Sequence, residues 1–133
     1  MIMLLVDTCI FLELLLNQSR AQECREFLDK IARGELEAIV TTFTIHAIEA
    51  IINEADTILS FLRNIMASKG LYVYITTISD EIAASILMGK IKRDFDDTLQ
   101  YYVAKKLGVE AIVSFDKHFC GLDIPRKEPR DYL

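Results

Sequence analysis

The stretch IKRDFDDTLQYYVAKKLG places Asp94, Asp96 and Asp97 within four positions at the start of a predicted helix. One Asp is enough to cap a helix and to meet the positive end of its dipole, so the surplus charge needs another partner. Three further acids stand where a fold can gather them: Asp7 directly after the apolar run IMLLV, Glu49 within TTFTIHAIEAI, and Asp116 just beyond EAIVSF. Carboxylates held a few ångströms apart drive one another toward protonation. Hard divalent cations resolve that conflict, because Mg²⁺ and Mn²⁺ prefer oxygen ligands and retain waters or substrate phosphate. Two such ions roughly 3.5–4 Å apart activate a water and stabilise the leaving oxygen of an in-line phosphodiester displacement. The chemistry to expect of Asp7, Glu49, Asp97 and Asp116 is therefore metal-assisted phosphodiester hydrolysis.

The elements around these acids read as alternating strands and helices. IMLLV and EAIVTTF are short apolar runs, as in strands buried on both faces of a parallel sheet, LYVYIT makes a third strand from aromatic and β-branched residues, and EAIVSF supplies a fourth. Between them, Cys24, Phe27, Leu28 and Ile31 mark an amphipathic helix closed by Gly34. A helix from Thr44 to about Ala55 carries Glu49, and Asp56 is expected to cap the next one, which runs to Gly70. Ser79 is expected to cap a helix with Ile82, Ile86 and Ile91 on its buried side. The helix bearing Asp97 buries Leu99, Tyr102, Val103 and Leu107 and stops at Gly108. The tail GLDIPRKEPRDYL holds both prolines and has room for one short edge strand. Parallel neighbours need crossover connections, so the reading is an α/β fold with a central, mainly parallel sheet of four to five strands covered on both faces. Sites in such sheets form outside the carboxyl ends of the strands where strand order reverses, which is where Asp7 and Asp116 belong if their strands are neighbours.

Length and composition set bounds. The 133 residues fit one domain, 1–133, with just over half of them hydrophobic. The opening MIMLLVDTCIFLELLL lacks a basic leader and is interrupted by Asp7 and Glu13, so no membrane span is expected. Cys9, Cys24 and Cys120 are odd in number and not closely paired, which suits thiols in a cytoplasmic protein. A net charge of −5 excludes a protein that grips nucleic acid over its whole surface. It allows a local basic rim, and most of the basic residues near the acids fall in the last third of the chain, from Lys90 to Arg130. Lys92, Arg93, Lys117 and His118 are the candidates for contact with a nucleic-acid phosphate, whereas His46 reads as packing or surface. Neither histidine is required as a metal ligand.

LLVDTCIFLELL, TTFTIHAIEAI and DFDDTLQYYVAKKLGVEAIVSFDKHF, in that order and over nearly the whole chain, resemble the PIN-domain family. The resemblance implies a three-layer α/β/α sandwich and a Mg²⁺- or Mn²⁺-dependent endoribonuclease. It also implies a VapC-type toxin of a toxin–antitoxin pair, with an antitoxin as partner and a homodimer or higher homo-oligomer formed through the helix at 56–69. The family's acids fall on Asp7, Glu49, Asp97 and Asp116. Asp96 is the alternative to Asp97, and Thr8 and Ser114 are placed to orient carboxylates or water. The stretch TLQYYVAKK departs from the small residues usual after the third acid, and Gln100 with the two tyrosines is expected to narrow the substrate groove. Two other readings compete. A PIN fold without catalysis can serve as a protein-binding module, and a phosphoacceptor receiver domain is also doubly wound with an acidic pocket. The receiver needs an acid pair after the first strand, where this chain has Asp7 alone.

Overall fold

Leu4 and Val6 face one side of a sheet and Leu5 faces the other, and this alternation in the first strand divides the molecule into layers. The computed structural model describes residues 2–133. Its strands are β1 (Met3–Val6), β2 (Glu37–Thr41), β3 (Leu71–Tyr74), β4 (Ala111–Val113) and β5 (Arg126–Lys127). Its helices are α1 (Thr8–Leu15), α2 (Ala21–Ala32), α3 (Thr42–Ile52), α4 (Ala55–Ala67), α5 (Ile78–Ile91) and α6 (Phe95–Leu107). All strand pairs are parallel, in the order β3-β2-β1-β4-β5. On one face Leu4, Val6, Ala38, Val40 and Val113 pack under Phe11 of α1, Phe27 of α2, Ile48 of α3 and Phe61 of α4. On the other, Leu5, Ile39 and Ile112 pack under Ala84 of α5 and Leu99 and Val103 of α6. The result is the expected three-layer α/β/α sandwich, with the short tail strand β5 on the edge beside β4. A receiver-type sheet has the order 2-1-3-4-5; the order here differs and removes that reading.

Several local expectations shift. β2 ends at Thr41 and not at Phe43, because the Thr41 hydroxyl accepts the Thr44 N–H at 3.1 Å and caps α3. Glu54, not Asp56, caps α4 by accepting the Thr57 N–H at 2.7 Å. Thr77 replaces Ser79 as the cap of α5 and forms a capping box with Asp80. The buried side of α5 is also different: Ile82 and Ile86 are 57% and 64% exposed, while Asp80 and Ala84 face inward. The small Ala84 lies in the core under α6, and the buried Asp80 pairs with Lys106 at 2.9 Å. A helix can thus turn its polar residue inward when the neighbouring helix supplies the counter-charge.

Candidate active site

β1 and β4 are the two strands between which the chain order reverses, and Val6 lies opposite Val113 in their register. The next residues outward, Asp7 and Ser114, therefore emerge side by side, and the Asp7 N–H still bonds the Val113 carbonyl at 3.0 Å. Ser114, fully buried, donates its hydroxyl to Asp7 Oδ2 at 2.7 Å and accepts the Asp116 N–H at 2.9 Å. Cys9, in the first turn of α1, places its thiol 3.3 Å from the same Asp7 oxygen. Asp7 occupies the N-cap position of α1 yet makes no side-chain cap bond, so its carboxylate is committed to the crevice.

The second wall is the start of α6. Asp97 is 6% exposed, and its Oδ2 lies 3.2 Å from His118 Nδ1. His118 sits in a 3-10 turn after β4, with its ring 3.4 Å from Asp116 Oδ1, and so stands between the two carboxylates. Asp94 is the N-cap of α6 without a cap hydrogen bond from its side chain. Ligand atoms of Asp94, Asp97 and His118 all lie within 4.8 Å of one another.

Electrostatics records the crowding. Burial, then the charges of Asp96 and Asp116, push Asp97 up to about 6 against the His118 hydrogen bond, and Asp7 adds to the rise. Burial also raises Asp7, with Asp116 adding, against the hydrogen bonds from Ser114 and Cys9. Among the described residues, the ion-pair partner of Asp97 and Asp116 is His118, with no Lys or Arg on Asp7, Asp97 or Asp116. Carboxylate oxygens gathered around a half-buried crevice, with His118 and no Lys or Arg beside them, are donors of the kind that Mg²⁺ and Mn²⁺ prefer.

Not every candidate joins this crevice. Glu49 pairs with His46 at 2.9 Å on the exposed side of α3, and it is not among the charges acting on Asp7 or Asp97. Asp96 is exposed whereas Asp97 is buried, so Asp97 is the member facing inward. Thr8 bonds Thr44 across to α3 at 3.0 Å. Arg93 spends its guanidinium on the carbonyls of His118, Ile91 and Cys120, which leaves Lys92 and Lys117 as exposed cations nearby in sequence. Gln100 does not line a groove: it is 2% exposed and bonded within the interior. Sequence reasoning missed the Cys9 contact and the dual contact of His118. Cys9 was legible as Asp7 plus two, on the first turn of a helix, but the neighbour it meets comes from 105 residues away.

A family model described as the PIN domain matches residues 3–118. No curated protein matches the chain. Among solved structures, a chain of a toxin–antitoxin complex from Klebsiella pneumoniae is similar with a TM-score of 0.70 at 14% identity, over 94% of this chain and 96% of that one. VapC20 of Mycobacterium tuberculosis, a sarcin–ricin loop cleaving toxin, is similar with a TM-score of 0.68 at 18% identity, over 85% of this chain and 89% of that one. At these identities the two likenesses bear on the fold.

Proposed function

The chain belongs to the PIN-domain family, and from that premise we propose that it is a Mg²⁺- or Mn²⁺-dependent endoribonuclease and the toxin of a VapBC-type pair. The observation that carries the reading is that Asp7, Asp97 and Asp116 act on one another electrostatically around the reversal of strand order, with Asp94, Asp97 and His118 closest together and no Lys or Arg paired to any of the three acids. In this reading Asp7, Asp97 and Asp116 hold the cation, which supplies charge neutralisation and an activated water when bound. Ser114 fixes one Asp7 oxygen and leaves the other free to bind. His118 holds Asp97 and Asp116 in one orientation, and Asp94 offers a further oxygen. Glu49, paired with His46 outside the crevice, is the candidate for positioning water from the rim. Lys92 and Lys117 supply the local positive charge that an acidic protein needs to hold RNA.

Residues 1–133 act as one unit in this proposal, in a cytoplasmic protein; no described helix is long and apolar enough to cross a membrane, and all three cysteines are free thiols. The fold likeness to toxin chains supports an antitoxin partner. A groove of about 670 Å³ lined by Phe11, Leu14, Leu28, Phe61 and Ile65, together with Arg25, Asp29, Glu54 and Asp56, is a surface suited to receive an apolar segment. Self-association, expected through α4, has Leu59 and Met66 exposed there, and the isoleucines of α5 offer a larger apolar face. That exposed face is also what favours the second reading, a protein-binding module without catalysis. Defined RNAs incubated with the pure protein, with and without Mn²⁺ and beside Asp7→Asn, separate the two. Mn²⁺-dependent cleavage lost in Asp7→Asn supports the nuclease, and no carboxylate-dependent Mn²⁺ binding or cleavage leaves the binding module.

A further inference from the structure

We infer that Arg93 is a positioning residue for the acidic site: its guanidinium ties the turn that carries Asp116 and His118 to the start of α6, which carries Asp94 and Asp97; this rests on the nuclease reading. The sequence offers Arg93 to a phosphate, but the fold gives it three backbone partners. Nε donates to the His118 carbonyl at 2.7 Å, Nη2 to the Cys120 carbonyl at 3.3 Å and Nη1 to the Ile91 carbonyl at 3.0 Å. A guanidinium only donates and a carbonyl only accepts, so the direction of each bond is fixed. The three nitrogens form one rigid planar fork, which sets carbonyls of two separate segments against each other. All three bonds end on backbone, so Arg93 acts on the site by placing chain segments.

Those two segments are the ones that meet at the crevice. Ile91 ends α5, and Arg93 stands immediately before Asp94, the N-cap of α6. The fully buried Thr98 hydroxyl lies 2.8 Å from the Asp94 carbonyl and 3.4 Å from that of Arg93, which roots Arg93 in the first turn of α6. Across the crevice, Lys117–Phe119 form the 3-10 turn with Asp116 as its N-cap. Arg126 Nη1 holds the near end of this segment at the Ser114 carbonyl, 2.8 Å away, and Arg93 holds the far end at His118 and Cys120. The fork thereby sets the spacing within the group Asp94, Asp97 and His118, whose ligand atoms lie within 4.8 Å of one another. Removing it frees the far end of the turn, and with it the separation of His118 and Asp116 from Asp97.

The test uses the full chain with Arg93→Gln and Arg93→Lys. Mn²⁺ affinity is read by calorimetry, thermal denaturation of the metal-free proteins confirms folding, and cleavage of a fluorescein-labelled single-stranded RNA in Mn²⁺ gives kcat and KM. Both variants are expected to bind Mn²⁺ about tenfold more weakly, as for loss of an outer-shell partner, and to lower kcat while KM holds. Lys keeps the charge but has no planar fork, so Arg93→Lys should not restore affinity. A phosphate contact predicts the reverse: Arg93→Lys behaves like the parent, and Arg93→Gln raises KM with a shallower salt dependence. That pattern, or parental Mn²⁺ affinity in either variant, overturns the inference while leaving the nuclease intact. Should neither variant fold, the parent is read by itself. Coupling is reciprocal, so saturating Mg²⁺ is expected to slow hydrogen exchange of the Arg93 Nε–H, and exchange unchanged by Mg²⁺ overturns the inference. A parent protein that binds no Mn²⁺ overturns the nuclease reading along with it.

Discussion

Burial and hydrogen bonding pull the Asp7 carboxylate in opposite directions, and burial prevails. A group in that state is costly for the metal-free fold and available to a cation. Asp7→Asn is therefore expected to abolish RNA cleavage while thermal denaturation shows a Tm equal to or above that of the parent, since a neutral amide replaces a buried charge. Asp97 makes the linkage measurable. Its carboxyl rises from an ordinary value of 3.8 to about 6, so between these values the native state holds a proton that the unfolded chain has released. Metal-free stability then falls as pH rises across that window and levels off above it. A bound cation must displace the same proton, so Mn²⁺ affinity measured by calorimetry is expected to drop about tenfold per pH unit below 6. Affinity that does not change between pH 5 and 7 would remove Asp97 from the ligand set.

Helices α5 and α6 are joined by a polar clamp built on Asp80. Asp80 is 1% exposed and accepts from Lys106 Nζ at 2.9 Å, Tyr74 Oη at 2.8 Å and the Thr77 N–H at 3.0 Å. Burial alone would raise its carboxyl, but these bonds together outweigh burial and hold it down at about 2. A carboxyl lowered on folding stabilises the native state above its unfolded value of 3.8, and that contribution is lost as pH falls from there toward 2. Denaturant titrations between pH 2 and 6 should show this loss in the parent and a smaller one in Asp80→Asn. Asp80→Ala, which also removes half of the capping box, is expected to cost about 2 kcal/mol at neutral pH.

Across the whole molecule, apolar surface is distributed unevenly between the two helical layers. Ile78, Ile82 and Ile86 recur every fourth residue along α5 and stand 72%, 57% and 64% exposed, beside Ile75 at 71%. On the buried side of the neighbouring helix, Leu99 and Val103 are fully enclosed. Ile82→Asp is expected to change stability by less than about 0.5 kcal/mol, whereas Leu99→Ala should cost about 3 kcal/mol through the cavity it leaves. If α5 mediates self-association, sedimentation velocity will show Ile82→Asp as a monomer at concentrations where the parent forms dimers. A monomeric parent at all concentrations would reject that role for α5.

The sequence alone determined the alternation of elements, because short apolar runs such as IMLLV and the AIV of EAIVSF alternate with longer stretches of helical spacing, as buried parallel strands do with their crossover helices. It also determined that Asp7 and Asp116 lie at strand ends, and that Asp97 opens a helix. Register was beyond it: only the pairing of β1 with β4 brings Asp7 to Ser114. Sides were beyond it too. Ile82 and Ile86 have helical spacing, but spacing defines a face without saying which way the face turns, and Lys106 decided that by drawing Asp80 inward. Glu49 and Gln100 changed places for the same reason. The sequence reading set Glu49 among the acids of the site and Gln100 in the substrate groove, yet His46 holds one at the surface while Thr41 and Thr44 hold the other in the core. A polar side chain settles where its hydrogen bonds are met, and those partners lie on other elements that only the folded chain brings near.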